Sequence, residues 1–156
     1  MKILLVRTWE NKKNHHCYET NITGIYPPLG IAYLASVLRE AGHKVRIIDN
    51  QILRLNQKHL KDRIKEIQPD LVLISVLTTN WLEVLRLSRL IKSISAKITV
   101  GVGGPHVGLY PQESLKWESI DFGVLGEGEQ TIIEAVESLK QNKNLRDIEG
   151  LSLIHI

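Results

Sequence analysis

Three short stretches hold residue types that could do chemistry. "SVLTTN" (75–80) offers hydroxyls at Ser75, Thr78 and Thr79 around the apolar Leu77. "VGVGGPH" (100–106) strips the backbone at Gly101, Gly103 and Gly104, then sets Pro105 and His106. "GEGE" (126–129) alternates Gly126 and Gly128 with Glu127 and Glu129. Bare backbone has two possible causes: a sharp turn, or a bulky group lying against the chain. Hydroxyls and carboxylates beside such backbone suit a neutral, amide-bearing or cationic ligand. A polyphosphate is disfavoured, because a helix start attracts anions and Glu127 and Glu129 already place negative charge there. Thr8, in "RTWEN" (7–11), adds one more hydroxyl. Two plainer readings stay open: the glycines serve turns only, and Glu129 merely satisfies a helix start.

The elements needed to bring these stretches together can be read from periodicity. Short apolar runs at 2–6, 71–75, 98–102 and 121–126, with the alternating run 44–49 and a last one at 150–156, read as strands. Between them come helical patterns. One follows "PPLG", with Ile31, Leu34, Ala35 and Leu38 on one face and Gly42 as its stop. The others span about 57–67, 81–95 and 129–141, with Leu60, Ile64 and Ile67, Val84, Leu87, Ile91 and Ile94, and Ile132, Ile133, Val136 and Leu139 facing inward. Strands alternating with helices give an α/β, doubly wound parallel sheet, Rossmann-like or flavodoxin-like, of five to six strands with helices on both faces. In such sheets ligands bind beyond the strands' carboxyl ends, and all three stretches leave those ends. Residues 7–27 form a long aperiodic loop, a length often kept for function.

Several familiar chemistries fail on residues. A phosphoacceptor receiver needs acids where this chain has Ser75 and Arg7-Thr8, and a lysine where it has Gly126. A flavodoxin phosphate loop needs hydroxyls and glycines after the first strand, and "RTWEN" has one threonine. "GVGGPH" lacks the dinucleotide-binding spacing, and no P-loop is present. With one cysteine among 156 residues, an internal disulfide, a cysteine zinc site or an iron–sulfur cluster cannot be built, and a reducing, cytoplasmic setting is expected. A net charge of +3, spread over helix faces, gives little reason to expect nucleic acid as a partner, and no membrane segment is expected.

Ser75-Val76-Leu77 and Gly103-Gly104 resemble two of the three signatures of cobalamin-binding Rossmann-like domains. Wider text, "YPPLGIAYLASVLREAGHKVRIIDN", "VGGPHVGLYPQESL" and "DFGVLGEGEQTIIEAVESL", resembles the N-terminal cobalamin-binding domain of cobalamin-dependent radical S-adenosylmethionine enzymes. The resemblance implies that cobalamin is bound by Thr8, Ser75, Leu77, Thr78, Thr79, Gly103, Gly104, Pro105, His106, Gly126, Glu127, Gly128 and Glu129. Its corrin would lie over the strand ends and its nucleotide tail would run between the third and fourth strands, so that Gly104→Val should block it. The family's D-x-H-x-x-G is missing here; the first loop offers His15, His16 and Cys17 without that pattern, leaving cobalt's lower ligand unassigned. The resemblance further implies a domain over 1–150, with 151–156 leading toward a radical S-adenosylmethionine barrel that carries that cofactor and a four-iron cluster. A methyltransferase-like parent enzyme is the expectation. The alternative is the same fold without cobalamin, used for substrate recognition or docking.

Overall fold

The computed structural model describes residues 1–9 and 26–153. Five parallel strands and one antiparallel edge form a single sheet in the order β2-β1-β3-β4-β5-β6. These are β1 (Lys2–Arg7), β2 (Lys44–Asp49), β3 (Leu71–Ser75), β4 (Thr99–Gly103), β5 (Phe122–Val124) and β6 (Leu151–Ser152). Their alternation decides which helices cover which face. Ile3, Leu5, Leu71, Leu73, Phe122 and Val124 point to one side. There they pack on α1 (Leu29–Glu40) and α7 (Glu129–Lys140) through Ile31, Ala35, Leu38, Ile132, Ala135 and Val136. Leu4, Val6, Val72, Ile74, Val100 and Val102 point to the other side, against α3 (Gln57–Ile67) and α4 (Trp81–Ile94). Both faces are therefore buried, which is why the central strands are continuously apolar.

Each expected helix is present, and its inward stripe is the expected one, although Leu34, Ile67, Ile94, Ile133 and Leu139 are only half-buried. Sequence periodicity misses four short elements: α2 (Asn50–Leu53), a 3-10 turn (Thr78–Asn80), α5 (Pro105–Leu109) and α6 (Pro111–Leu115). They are too short to show a period. Asp49 caps α2 by accepting from the Gln51 amide at 3.1 Å, and prolines open α5 and α6. The expectation of a wholly parallel sheet is corrected at one edge, where β6 runs antiparallel to β5. The physical reason is the connection after α7. It brings the chain back to the carboxyl end before the strand begins, with the Gly150 carbonyl accepting from the Leu125 amide at 2.8 Å. The expected His15, His16 and Cys17 loop and residues 154–156 lie outside the described residues.

The strand ends are fastened by polar ties away from the site. Asp121 Oδ2 accepts from Lys92 Nζ and from the Val100 amide, both at 2.6 Å. Asp70 Oδ2 accepts from the Lys2 amide at 2.7 Å. Among the described residues no helix is long and apolar enough to cross a membrane.

Candidate functional site

A cleft of about 310 Å³ opens at the carboxyl ends of β1, β3, β4 and β5, on the side covered by α1 and α7. The strand order places β1 between β2 and β3, so the chain leaves β1 in one direction and returns in the other; the cleft straddles that switch point. Its depth is apolar, made by Leu5, Leu73 and Val124 from the sheet and by Ile31, Leu34 and Ile132 from the helices. Its mouth is polar: Ser75, Gly103, Gly104, Pro105, Gly126, Glu127, Gly128 and Glu129 all border it. Eight of the residues singled out in the sequence thus meet at one place.

The three glycines of "VGVGGPH" turn out to have three different causes. Gly101 makes room for a ring: a Cβ there would sit 2.5 Å from Phe122 Cζ and 2.7 Å from Leu73 Cδ2. Gly104 lies at φ +117°, in the region that disfavours side chains, and a Cβ would come 2.7 Å from the Val76 carbonyl oxygen. This corrects the expectation that Gly104→Val would block a ligand's path, since that valine would strike the chain's own backbone first. Only Gly103 is bare without a protein reason of that kind. A Cβ there would meet Val124 Cβ at 3.5 Å, an ordinary contact, and would project from the same strand face as Ser75 into the cleft. Both causes weighed for the glycines therefore operate, at different positions.

Ser75 and Arg7 are register partners on adjacent parallel strands, about 4.8 Å apart in the pairing direction. Both line the cleft. The Ser75 hydroxyl has no hydrogen-bond partner among the described residues. Arg7 is held in place by others: its Nε lies 3.0 Å from Asp49 Oδ1, and its Nη1 donates to the Tyr26 carbonyl at 2.8 Å. Arg7 was absent from the sequence-derived set, as were the α1 residues Leu29, Gly30, Ile31 and Leu34. The signal for Arg7 was available, because it shares the alternation of Leu5. At the opposite end of the cleft Glu129 occupies the first turn of α7, while α1 starts with no acidic residue in its first turn. The cleft is polarised, with donors at the β1 side and carboxylates at the β5 side.

The structure separates the remaining expected residues from this cleft. Thr8 follows Arg7 and does not line the cleft; it is buried and its hydroxyl has no hydrogen-bond partner among the described residues. Leu77 is 42% exposed on the rim, with its amide donating to Asn80 Oδ1 at 2.9 Å. Thr79 is exposed on the 3-10 turn. His106 is buried on the far side of β4, its ring centroid 4.7 Å from that of Trp81 and 5.3 Å from that of Tyr110. Its Nδ1 lies 3.2 Å from Thr78 Oγ1, which accounts for Thr78 as well. Burial pushes the His106 pKa below the usual histidine value, against an opposing pull from Glu113. These aromatic rings fasten α5 to α4 and leave the cleft open.

The lining fits a group with an apolar part and a polar one. The cleft sits at the small end of the range for ligand sites, about 300–1,000 Å³. It would take one arm of a large cofactor, with the bulk of that cofactor lying outside on the rim. Among the described residues no three His, Cys, Asp or Glu side chains gather as a metal site.

Comparison with known proteins places this geometry. A relative in Pyrococcus horikoshii, the uncharacterized methyltransferase PH0819, is 39% identical over 127 residues, covering 81% of this chain and 28% of its own length. The cytidylyl-2-hydroxyethylphosphonate methyltransferase of Streptomyces wedmorensis is 29% identical over 143 residues, covering 80% of this chain and 27% of its own. Among solved structures, the radical S-adenosylmethionine methyltransferase TsrM from Kitasatospora setae, with cobalamin and a [4Fe-4S] cluster bound, superposes with a TM-score of 0.77 at 20% identity. It covers 96% of this chain and 26% of that one. The cobalamin-dependent radical enzyme OxsB, with aqua-cobalamin and S-adenosylmethionine bound, gives 0.79 at 22% identity, covering 97% and 20%. The chain thus spans about a quarter of the length of the curated relatives it matches. The family model for the B12 binding domain matches residues 16–136, most of the chain and nearly every element that builds the cleft, and the chain belongs to that family.

Proposed function

We propose that this chain is the cobalamin-holding module of a radical S-adenosylmethionine enzyme of methyltransferase type. In this proposal residues 1–150 together with β6 form the holding domain, which would work with a C-terminal radical S-adenosylmethionine domain carrying the four-iron cluster. The observation that carries the reading is Gly103. It is bare toward the cleft with no neighbour that requires it to be, which is what a ligand arm lying against the backbone asks for.

In this reading the nucleotide tail enters between the ends of β3 and β4. Leu5, Leu73, Val124 and Ile132 bury its flat base, which removes apolar surface from water. The Ser75 hydroxyl bonds a polar atom of the tail at the mouth. Glu127, Glu129 and the backbone of Gly126 and Gly128 face the amide side chains of the corrin, accepting from their N–H groups. When bound, cobalamin supplies a cobalt centre able to carry a methyl group. Ser75, Gly103 and the Gly126–Glu129 stretch would hold the group and position it for that chemistry.

The rim supports a covered, rather than a free, outer surface. Leu29, Leu82, Leu109 and Tyr110 are each between 49% and 69% exposed on segments that leave the strand ends. A corrin and the next domain together would remove such surface from water. A domain that kept this rim for docking after losing cobalamin is the competing reading. To separate the two, the chain is mixed with hydroxocobalamin, desalted, and its visible spectrum recorded at micromolar concentration. Cobalamin retained near one per chain supports the proposal. A colourless, folded protein refutes it and leaves docking.

A further inference from the structure

The polarity of the cleft allows a finer statement about which corrinoid it selects. The inference rests on the proposed function above. We propose that Arg7, aided by Ser75, recognises the phosphodiester of cobalamin's nucleotide loop, so that the domain discriminates complete cobalamin from corrinoids that lack the loop.

Three observations converge. First, among the described residues Arg7 is the one cationic side chain lining the cleft, and its register partner on β3 is Ser75, whose hydroxyl is unpartnered among the same residues. A guanidinium and a hydroxyl on neighbouring strands form a donor pair matched to a tetrahedral anion. Second, the guanidinium is aimed by others and is not spent on them. Asp49 Oδ1 lies 3.0 Å from Nε as an ion pair, without a hydrogen bond to that atom, and the Tyr26 carbonyl takes Nη1, while Nη2 has no acceptor among the described residues. Asp49 is itself anchored by the Gln51 amide. Third, the opposite end carries Glu127 and Glu129. A polyanion spanning the cleft would be repelled there, whereas one monoanionic group confined to the β1 end would not. A corrinoid with its nucleotide loop has one phosphodiester and otherwise neutral amides, which matches that pattern. A nucleoside di- or triphosphate does not.

The charge on Arg7 is partly met by Asp49, so Arg7 is a specificity-determining residue and not the main source of affinity. A hydrogen bond to a charged group contributes about 1.5–3 kcal/mol, which corresponds to roughly a 10- to 150-fold change in affinity.

The test is a set of dissociation constants for hydroxocobalamin and for aquocobinamide, which lacks the nucleotide loop. They are measured by absorbance titration on the whole chain and on Arg7→Gln, Arg7→Lys and Ser75→Ala. The wild type is expected to prefer cobalamin. Arg7→Gln should weaken cobalamin about 10-fold or more while moving cobinamide by less than about twofold. Ser75→Ala, which breaks no bond among the described residues, should shift cobalamin alone in the same direction, and Arg7→Lys should fall between. Should Arg7→Gln lose its fold with Asp49, Ser75→Ala and Arg7→Lys carry the test. Equal affinity of the wild type for the two corrinoids, or a variant that loses both in equal measure, overturns the inference and leaves cobalamin binding standing. A wild type that binds neither overturns the proposed function as well.

Discussion

Adding a side chain at Gly103 separates the protein's needs from those of a ligand. The position lies at the end of β4 with an ordinary strand backbone, since its φ is not positive. A new Cβ would touch Val124 at 3.5 Å and 3.7 Å and nothing closer. The fold should therefore tolerate leucine there. Glycine in a strand interior is itself weaker than alanine by about 0.5–1 kcal/mol, so stability should change by no more than about 1 kcal/mol in either direction. The cleft should not tolerate it. A leucine side chain added there would take up a large share of the 310 Å³ available here. Forcing a ligand into a space overfilled by that amount costs about 1–3 kcal/mol, equivalent to roughly 5- to 150-fold in affinity. Gly103→Leu should thus unfold in urea at nearly the wild-type midpoint while binding hydroxocobalamin at least about 5-fold more weakly. Wild-type affinity in a folded Gly103→Leu chain would refute the assignment of this glycine to the ligand.

Other substitutions test the frame that positions the cleft. Gly101→Ala should lower stability by about 1–3 kcal/mol through overpacking on Phe122 and Leu73; a urea midpoint unchanged from wild type would contradict that packing. Asp121→Ala leaves Lys92 Nζ and the Val100 amide without their shared acceptor and should cost about 1–3 kcal/mol in the same assay. Lower pH should destabilise the fold through two histidines. Burial lowers the folded-state pKa of His106, and burial with the nearby amino terminus lowers that of His43, against a raising pull from Glu137. Both stay neutral in the fold more readily than in the unfolded chain, so their contribution is complete above the ordinary value of 6.5 and is lost as pH falls below it. Thermal midpoints should fall between pH 7 and pH 5, and His106→Gln should flatten that slope; an equal slope in the variant would contradict it.

Much of the layout was legible in the residues because parallel sheets covered on both faces leave long apolar runs. β1, β3 and the helices α1, α3, α4 and α7 could be placed from period and caps alone. β6 could not be oriented, since a two-residue edge strand has no pattern that distinguishes directions. The glycines were legible as a group and not one by one. Gly101 answers to Phe122, which is 21 positions later in the chain and meets it only through the pairing of β4 with β5. His106 and Thr78 were expected at the ligand because both leave strand carboxyl ends. The 3-10 turn after β3 and α5 after β4 carry them to the α4 face, where Trp81 and Tyr110 pack on the histidine. Arg7 was passed over because a lone arginine at a strand end has no motif. Its meaning comes from sharing a face and a register row with Ser75.

The most direct measurement is a map of backbone amide chemical shifts in the chain with and without hydroxocobalamin. The largest shifts are expected at Ser75, Gly103, Gly126 and Gly128, with Lys44 and His43 at the far end of the sheet unmoved. Shifts centred on His106 and α5, or on the β2 edge, with Ser75 and Gly103 silent, would contradict the placement of the cofactor in this cleft.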